Sequence, residues 1–139
     1  MKARYLLDTN IVSEPIRPRP NLGVLTRLEA HERELALAAP VWHELCFGCN
    51  RLPQGKRRRT IQQYLEEVVR PSIPILPYDT AAAQWHADER DRLDAIGLDT
   101  AFVDGQIAAI AKVNDLILVT ANTADYIHFK GLQIEDWTR

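Results

Sequence analysis

The stretch YLLDTNIVSEP, residues 5–15, decides the fold. Tyr5, Leu6 and Leu7 form a short apolar run of the kind that fills a fully buried strand, and it ends on a carboxylate, Asp8. Thr9 and Asn10 then open a helical segment in which Ile11 and Val12 seek burial, and which Pro15 breaks. A buried strand that turns at once into a helix is the first half of a βαβ unit. Asp8 at that joint has two readings. Asp is a favoured helix N-cap. The carboxyl end of a parallel strand is also where open α/β sheets bind their ligands.

The remainder of the chain repeats the pattern outward from this unit. The first strand covers residues 4–7, and the proline cluster Pro15, Pro18 and Pro20 separates the first short helix from a second at 21–32, with Leu22, Leu25 and Leu28 on one face. Residues 34–38, ELALA, read as the second strand. Pro40 suits the first turn of the next helix, whose apolar stripe is Trp42, Leu45, Cys46 and Cys49. Thr60 and Gln63 have the spacing of a capping box, followed by Ile61, Tyr64, Leu65 and Val68 at helical intervals. PILPYD supplies a third strand, with Asp79 as N-cap of a helix that Gly97 stops. A helix at 100–113, the strand LILVT at 116–120, the segment ANTADY and a last strand near 132–134 complete the chain. The sum is an α/β domain over residues 1–139, with a doubly wound central parallel sheet of about five strands.

Composition narrows the function classes. A chain of 139 residues, 46% hydrophobic and 26% charged, is one globular domain with room for a core. It has no run apolar and long enough to cross a membrane and no cleavable leader pattern, so a cytoplasmic location is expected. Cys46 and Cys49 lack the second ligand pair of a structural zinc site and fit core packing. The net charge of −2 does not mark a general polyanion binder, but Lys56, Arg57, Arg58 and Arg59 form one basic run. Cations at a helix N-terminus oppose the dipole. With Thr60 as the cap, this run is a mobile loop, either open to phosphate or simply solvated.

Four acids carry the chemistry. In AFVDGQIAAIAKV the apolar stripe takes in Val103, Ile107, Ile110 and Ala111, and at 100° per residue Asp104 falls on its edge. A half-buried carboxylate is costly unless paired or bound to a cation. Gly105 beside it costs a helix about 1 kcal/mol relative to Ala, which points to a close approach by backbone or ligand. Glu44 lies on the Val41/Gly48 side of its helix and reads equally as a solvated residue. Asp125 in TANTAD reads equally as a helix cap, and Asp99 as the cap of the Asp104 helix or a charge on the rim. Taken together, Asp8, Glu44, Asp104 and Asp125 sit at strand ends and helix starts, and if the first and LILVT strands are neighbours their loops share a crevice. Like charges brought together do not all ionise without a countercharge. A hard divalent cation, Mg²⁺ or Mn²⁺, supplies one, and phosphoryl chemistry is its common use.

LLDTNIVSEP, VWHEL, DGQIAAIA and LVTANTADY, in this order, resemble the motifs of PIN-domain ribonucleases, and most closely the VapC (virulence-associated protein C) toxins of type II toxin–antitoxin systems. The resemblance runs from Tyr5 to about Trp137. It implies a three-layer α/β/α fold, Mg²⁺- or Mn²⁺-dependent endonucleolytic cleavage of RNA, homodimerisation, and a VapB-like antitoxin whose C-terminal segment enters the acidic groove of a heterotetramer or larger assembly. It also implies that Asp8, Glu44, Asp104 and Asp125 are the catalytic and metal-binding acids. Thr9, Asn10 and Asn122 would be their polar supports. Many relatives carry a basic residue where this chain has Ala121, so the resemblance does not carry a phosphate contact over to that loop. Separately from the resemblance, an RNA backbone drawn to an acidic site needs cations to hold it, and Lys56, Arg57, Arg58 and Arg59 are the candidates. Two alternatives stand beside this. A haloacid-dehalogenase-like phosphohydrolase also starts from a strand-end Asp, but needs a second Asp where this chain has Asn10. A non-catalytic PIN-like scaffold would bind RNA or protein without need of the four acids.

Overall fold

The opening run forms β1 (Tyr5–Leu7), and none of its residues is exposed; the same holds for β2 (Leu35–Ala38). Successive strand residues point to opposite faces, so both faces of the sheet must be covered. The computed structural model, which describes residues 2–139, shows the cover. The helices are α1 (Thr9–Val12), α2 (Leu22–Ala30), α3 (Ala39–Asn50), α4 (Lys56–Tyr64), α5 (Arg70–Ser72), α6 (Thr80–Ala95) and α7 (Phe102–Val113). They flank a parallel sheet completed by β3 (Ile75–Leu76), β4 (Ile117–Val119) and β5 (Ile134–Glu135), in the order β3-β2-β1-β4-β5. This is the expected three-layer α/β/α arrangement.

The strand order positions the site. The chain builds outward from β1 through β2 to β3, then returns to place β4 on the other side of β1, with Leu6 opposite Leu118 and Leu7 opposite Val119. The order therefore reverses between β1 and β4, and a crevice opens beyond their carboxyl ends. Asp8 follows β1 directly, and Thr120 follows β4.

Several local expectations hold. Asp79 caps α6 through the Ala82 amide (2.9 Å), and Gly97 ends α6 with φ +78°; α2 gains an unanticipated cap, Asn21 accepting from the Val24 amide (3.1 Å). Both thiols are free, and Cys49 is buried in the core.

Others do not hold. No capping box forms at Thr60. Helix α4 begins at Lys56 with Gly55 as cap, and the Thr60 hydroxyl donates back to the Lys56 carbonyl (3.0 Å). Lys56 to Arg59 are thus the first helical turn and not a mobile loop. Partial burial of Ile61 and Tyr64, and full burial of Leu65 and Val69 in the helical stretch that continues it, outweigh the unfavourable charge–dipole contact there. A π-helical stretch, Leu65–Val69, then shifts the side-chain register, so that Val69 is buried and Val68 exposed. On α3 the buried line is Val41, Leu45 and Cys49, with Trp42 and Cys46 only at its margin. On α7, Val103 is exposed, while Ile107 to Ala111 are buried. Asp99 does not cap α7, whose cap position is Ala101. The last strand lies at Ile134–Glu135, pairing Ile134 with Leu118 and Glu135 with Val119, because Gly131 (φ +75°) turns the chain later than hydrophobicity alone suggests.

Helix α6 is tied to the loop that follows β4. Buried Glu89 accepts from Arg92 Nε and Nη2 (2.9 Å each) and from the Lys130 amide (2.7 Å), while Arg92 also donates to the His128 carbonyl (2.8 Å). The Arg92 hydrogen bonds, aided by the Lys130 amide, hold the Glu89 carboxyl below its ordinary pKa, against the opposing effect of burial. A lowered carboxyl pKa gives stability that is present above the unfolded value and lost as pH falls through the folded one. Glu89→Gln is therefore expected to lower the urea midpoint at pH 7. The gap to the parent protein should shrink as pH falls below 4.5, and a pH-independent gap would contradict this role for the charge.

Candidate active site

The turn after β1 makes Asp8 a helix cap and sets it at the mouth of a cleft. Its amide donates to the Val119 carbonyl (2.9 Å), extending the β1–β4 ladder, and its carbonyl accepts from Ile11 (3.0 Å) and Val12 (3.1 Å) to start α1. Its Oδ1 accepts from the Thr9 amide (2.8 Å), and its Oδ2 from the Thr120 hydroxyl (2.9 Å). Asp8 is thus a helix cap and also one wall of an open cleft of about 320 Å³. That cleft brings together Asp8, Glu44, Asp104 and Asp125, from four separate segments of the chain.

Each acid arrives by a different route. Asp104 lies in the first turn of α7, half-buried, with buried Ile107 one turn beyond it. Glu44 sits on the exposed side of α3 and accepts from the Thr9 hydroxyl (3.3 Å). Asp125 ends the 3₁₀ turn Thr123–Asp125, so it does not cap that helix from its start.

The supports are partly those expected. Thr9 contacts Asp8 through its amide and Glu44 through its hydroxyl. Asn10 does not orient Asp8. Its Oδ1 accepts from the Ala121 amide (3.0 Å), which binds the loop after β4 to α1. The Asn122 amide donates to Thr120 Oγ1 (3.0 Å). Fully buried Thr120 therefore relays between that loop and Asp8. Lys56 to Arg59 do not line the cleft. Arg58 donates to the Leu52 carbonyl (3.2 Å), steadying the turn between α3 and α4.

The sequence reading missed Thr120 and Tyr126. The buried Tyr126 hydroxyl lies 3.4 Å from Asp8 Oδ2 and 3.3 Å from Asp104 Oδ1. It has one proton and two carboxylates to serve, so at any moment one oxygen pair faces the other without a hydrogen between. Burial and the neighbouring Asp8 and Asp104 charges push the tyrosine pKa up, which keeps the hydroxyl a donor. Burial, and then the charge of Asp125, raise the Asp104 carboxyl above its ordinary value; the Tyr126 hydrogen bond opposes this, and Asp8 and Glu44 add to it. Among the described residues none of the four acids has a Lys or Arg within salt-bridge distance.

This donor set is carboxylate oxygen without thiolate or imidazole, the set that suits a hard cation such as Mg²⁺ or Mn²⁺. A cation would also resolve the unshielded contacts at Tyr126. Among the described residues no three acidic, His or Cys side chains already close round one point. An ion in this cleft would complete its shell with water, as Mg²⁺ prefers.

The PIN domain family matches residues 5–130. The chain is 36% identical over 124 residues to Toxin FitB of Neisseria gonorrhoeae, covering 87% of this chain and 89% of that protein. It is 30% identical over 135 residues to the tRNA(fMet)-specific endonuclease VapC of Shigella flexneri, covering 97% and 98%. Among solved structures, FitAcB from Neisseria gonorrhoeae superposes with a TM-score of 0.89 at 33% identity, covering 96% of this chain and 97% of that one. The match runs from β1 through the turn that carries Asp125 and includes every acid of the cleft, and on it the chain belongs to the PIN-domain family, in the group that contains the VapC and FitB toxins.

Proposed function

We propose that the protein is a divalent-metal-dependent endoribonuclease and the toxin of a toxin–antitoxin pair. The observation that carries this is the convergence of Asp8, Glu44, Asp104 and Asp125 on one cleft at the β1–β4 switch point, with no basic side chain paired to any of them among the described residues. Relatives named as a toxin and as a tRNA-specific endonuclease support it. The family assignment removes the dehalogenase alternative, and Asn10, spent on the Ala121 amide, supplies no second acid. Four like charges held together without a ligand would be an unexplained cost to a scaffold that only binds.

In this reading Asp8 and Asp104 would hold the ion, with Glu44 and Asp125 beside them in the cleft. The chemistry that Mg²⁺ or Mn²⁺ would supply there is polarisation of the scissile phosphate and a lowered pKa for the attacking water. Glu44, exposed and oriented by the Thr9 hydroxyl, is the carboxylate placed to accept a proton from the attacking water. Thr120 and Tyr126 fix the rotamers of Asp8 and Asp104, so that little reorganisation is needed when charge develops. Lys56, Arg57 and Arg59, exposed on α4, form an outlying cationic surface for phosphates farther along the strand.

A toxin must be neutralised in the cell that makes it. The matching partner is an antitoxin segment that fills the acidic cleft, on a homodimer of this chain within a heterotetramer or larger complex.

The chemistry of the RNA ends tests the reaction. Water activated by an ion leaves 5′-phosphate and 3′-hydroxyl ends, whereas attack by the ribose 2′-hydroxyl leaves a cyclic phosphate. The first pair is expected, and cyclic ends would overturn the mechanism. Tyr126→Phe keeps the ring in the core but removes the hydroxyl. It is expected to weaken Mn²⁺ binding about tenfold, the usual cost of losing a group that orients a ligand. Unchanged Mn²⁺ affinity by calorimetry would assign Tyr126 to packing alone.

A further inference from the structure

We propose that Arg17 is the phosphate-binding residue of the acidic cleft, contacting the RNA backbone next to the scissile bond. This rests on the ribonuclease reading above. A polyanion entering a cleft with four carboxylates needs a donor close to the reacting phosphate. Of the residues that line the cleft, Arg17 is the basic one. The basic run of α4 lies outside the lining, and residues 120–125 contain no Lys or Arg.

The root of Arg17 is fixed. Its amide closes the 3₁₀ turn Glu14–Ile16 on the Glu14 carbonyl (3.1 Å), and Pro18 restricts it to the extended conformation it shows, φ −80° and ψ 150°. The side chain is aimed by a buried partner. The Glu14 carboxylate is 5% exposed, takes the Asn21 amide on Oε1 (2.6 Å) and meets Arg17 Nη1 at 3.4 Å with Oε2. One long contact leaves most of the five guanidinium N–H groups free, on a side chain that is 50% exposed. A planar fork steadied at Nη1 by a buried carboxylate, with its other donors free, suits bidentate phosphate. If the pair served stability alone, a half-exposed ion pair of this kind would contribute little.

The test measures binding apart from cleavage. With a labelled single-stranded RNA whose phosphorothioate backbone resists hydrolysis, and Mg²⁺ present, affinity is followed between about 50 and 200 mM salt. Arg17→Gln is expected to weaken binding roughly tenfold. It should also flatten the slope of log K against log salt by about 0.7, the value for one phosphate contact on a single strand. Arg17→Lys should restore the slope and only part of the affinity. The melting temperature should stay within a few degrees for both variants. If the parent protein binds RNA and Arg17→Gln matches it in affinity and slope, Arg17 is not the phosphate contact and the ribonuclease reading stands. If the parent protein fails to bind RNA, both fall together.

Discussion

Asp104→Asn is expected to lose RNA cleavage roughly a hundredfold or more while the protein remains as stable as the parent, or becomes more so. The loss follows from the worth of the cation: Lewis-acid stabilisation supplies several kcal/mol, and each 1.36 kcal/mol is tenfold in rate. The gain follows from the site itself. Asp104 is half-buried among Asp125, Asp8 and Glu44, and its carboxyl is raised above the ordinary range by burial and by those charges. The amide has nearly the same shape, keeps an oxygen for the Tyr126 hydroxyl, and removes one of the charges that repel each other. A site that gives up stability for function answers in both directions to one substitution. Parallel rate and melting measurements decide it. A variant that cleaves at the parent rate, or one that unfolds, would remove Asp104 from its role.

Gly105→Ala is expected to destabilise the protein by about 1–3 kcal/mol, the usual cost of forcing a methyl group into a packed interior. Helix propensity alone gives the opposite sign, a gain of about 1 kcal/mol, so the sign of the change decides between the two. A Cβ at Gly105 would stand 2.1 Å from His86 Nε2. That ring is buried where α6 crosses α7, bonded through Nδ1 to the Tyr78 hydroxyl (2.8 Å), and packed on Phe102 with centroids 4.9 Å apart. Relieving the clash must break the Tyr78 hydrogen bond, unpack the ring from Phe102, or part the helices. His86→Ala should relieve the clash, making the double variant more stable than the sum of the two single losses. Additive losses in urea unfolding would show that the contact is not the cause. Because Asp104 adjoins Gly105, this adjustment should also lower cleavage.

The fold was largely legible because its signals are local. Apolar runs at YLL, ELALA and LILVT, the cap at Asp79, and the stop at Gly97 all act within a few residues. The four acids were legible as a set because each stands at a strand end or a helix edge. What escaped depends on distant contacts. Thr120 and Asp8 are 112 residues apart, and nothing in LILVT marks the final hydroxyl as a partner for the first aspartate. Tyr126 reads as a loop aromatic until the fold places it between Asp8 and Asp104. Gly105 was singled out correctly as a point of close approach, but the group that approaches is a histidine ring from the preceding helix. The basic run misled for a different reason. Its charges disfavour a helix start, yet the apolar residues that follow it decide where α4 begins. A π turn then moved burial from Val68 to Val69, a shift that no fixed helical period anticipates.

The central claim is that the acidic cleft holds a divalent ion for hydrolysis of RNA. It is tested most directly by single-turnover cleavage of a labelled RNA with protein stripped by EDTA, as Mg²⁺ is titrated back. The stripped protein is expected to be silent, and activity should return saturably with the ion in the parent protein but not in Asp104→Asn. RNA cleavage by the stripped protein at the full rate, in excess chelator, would contradict the account.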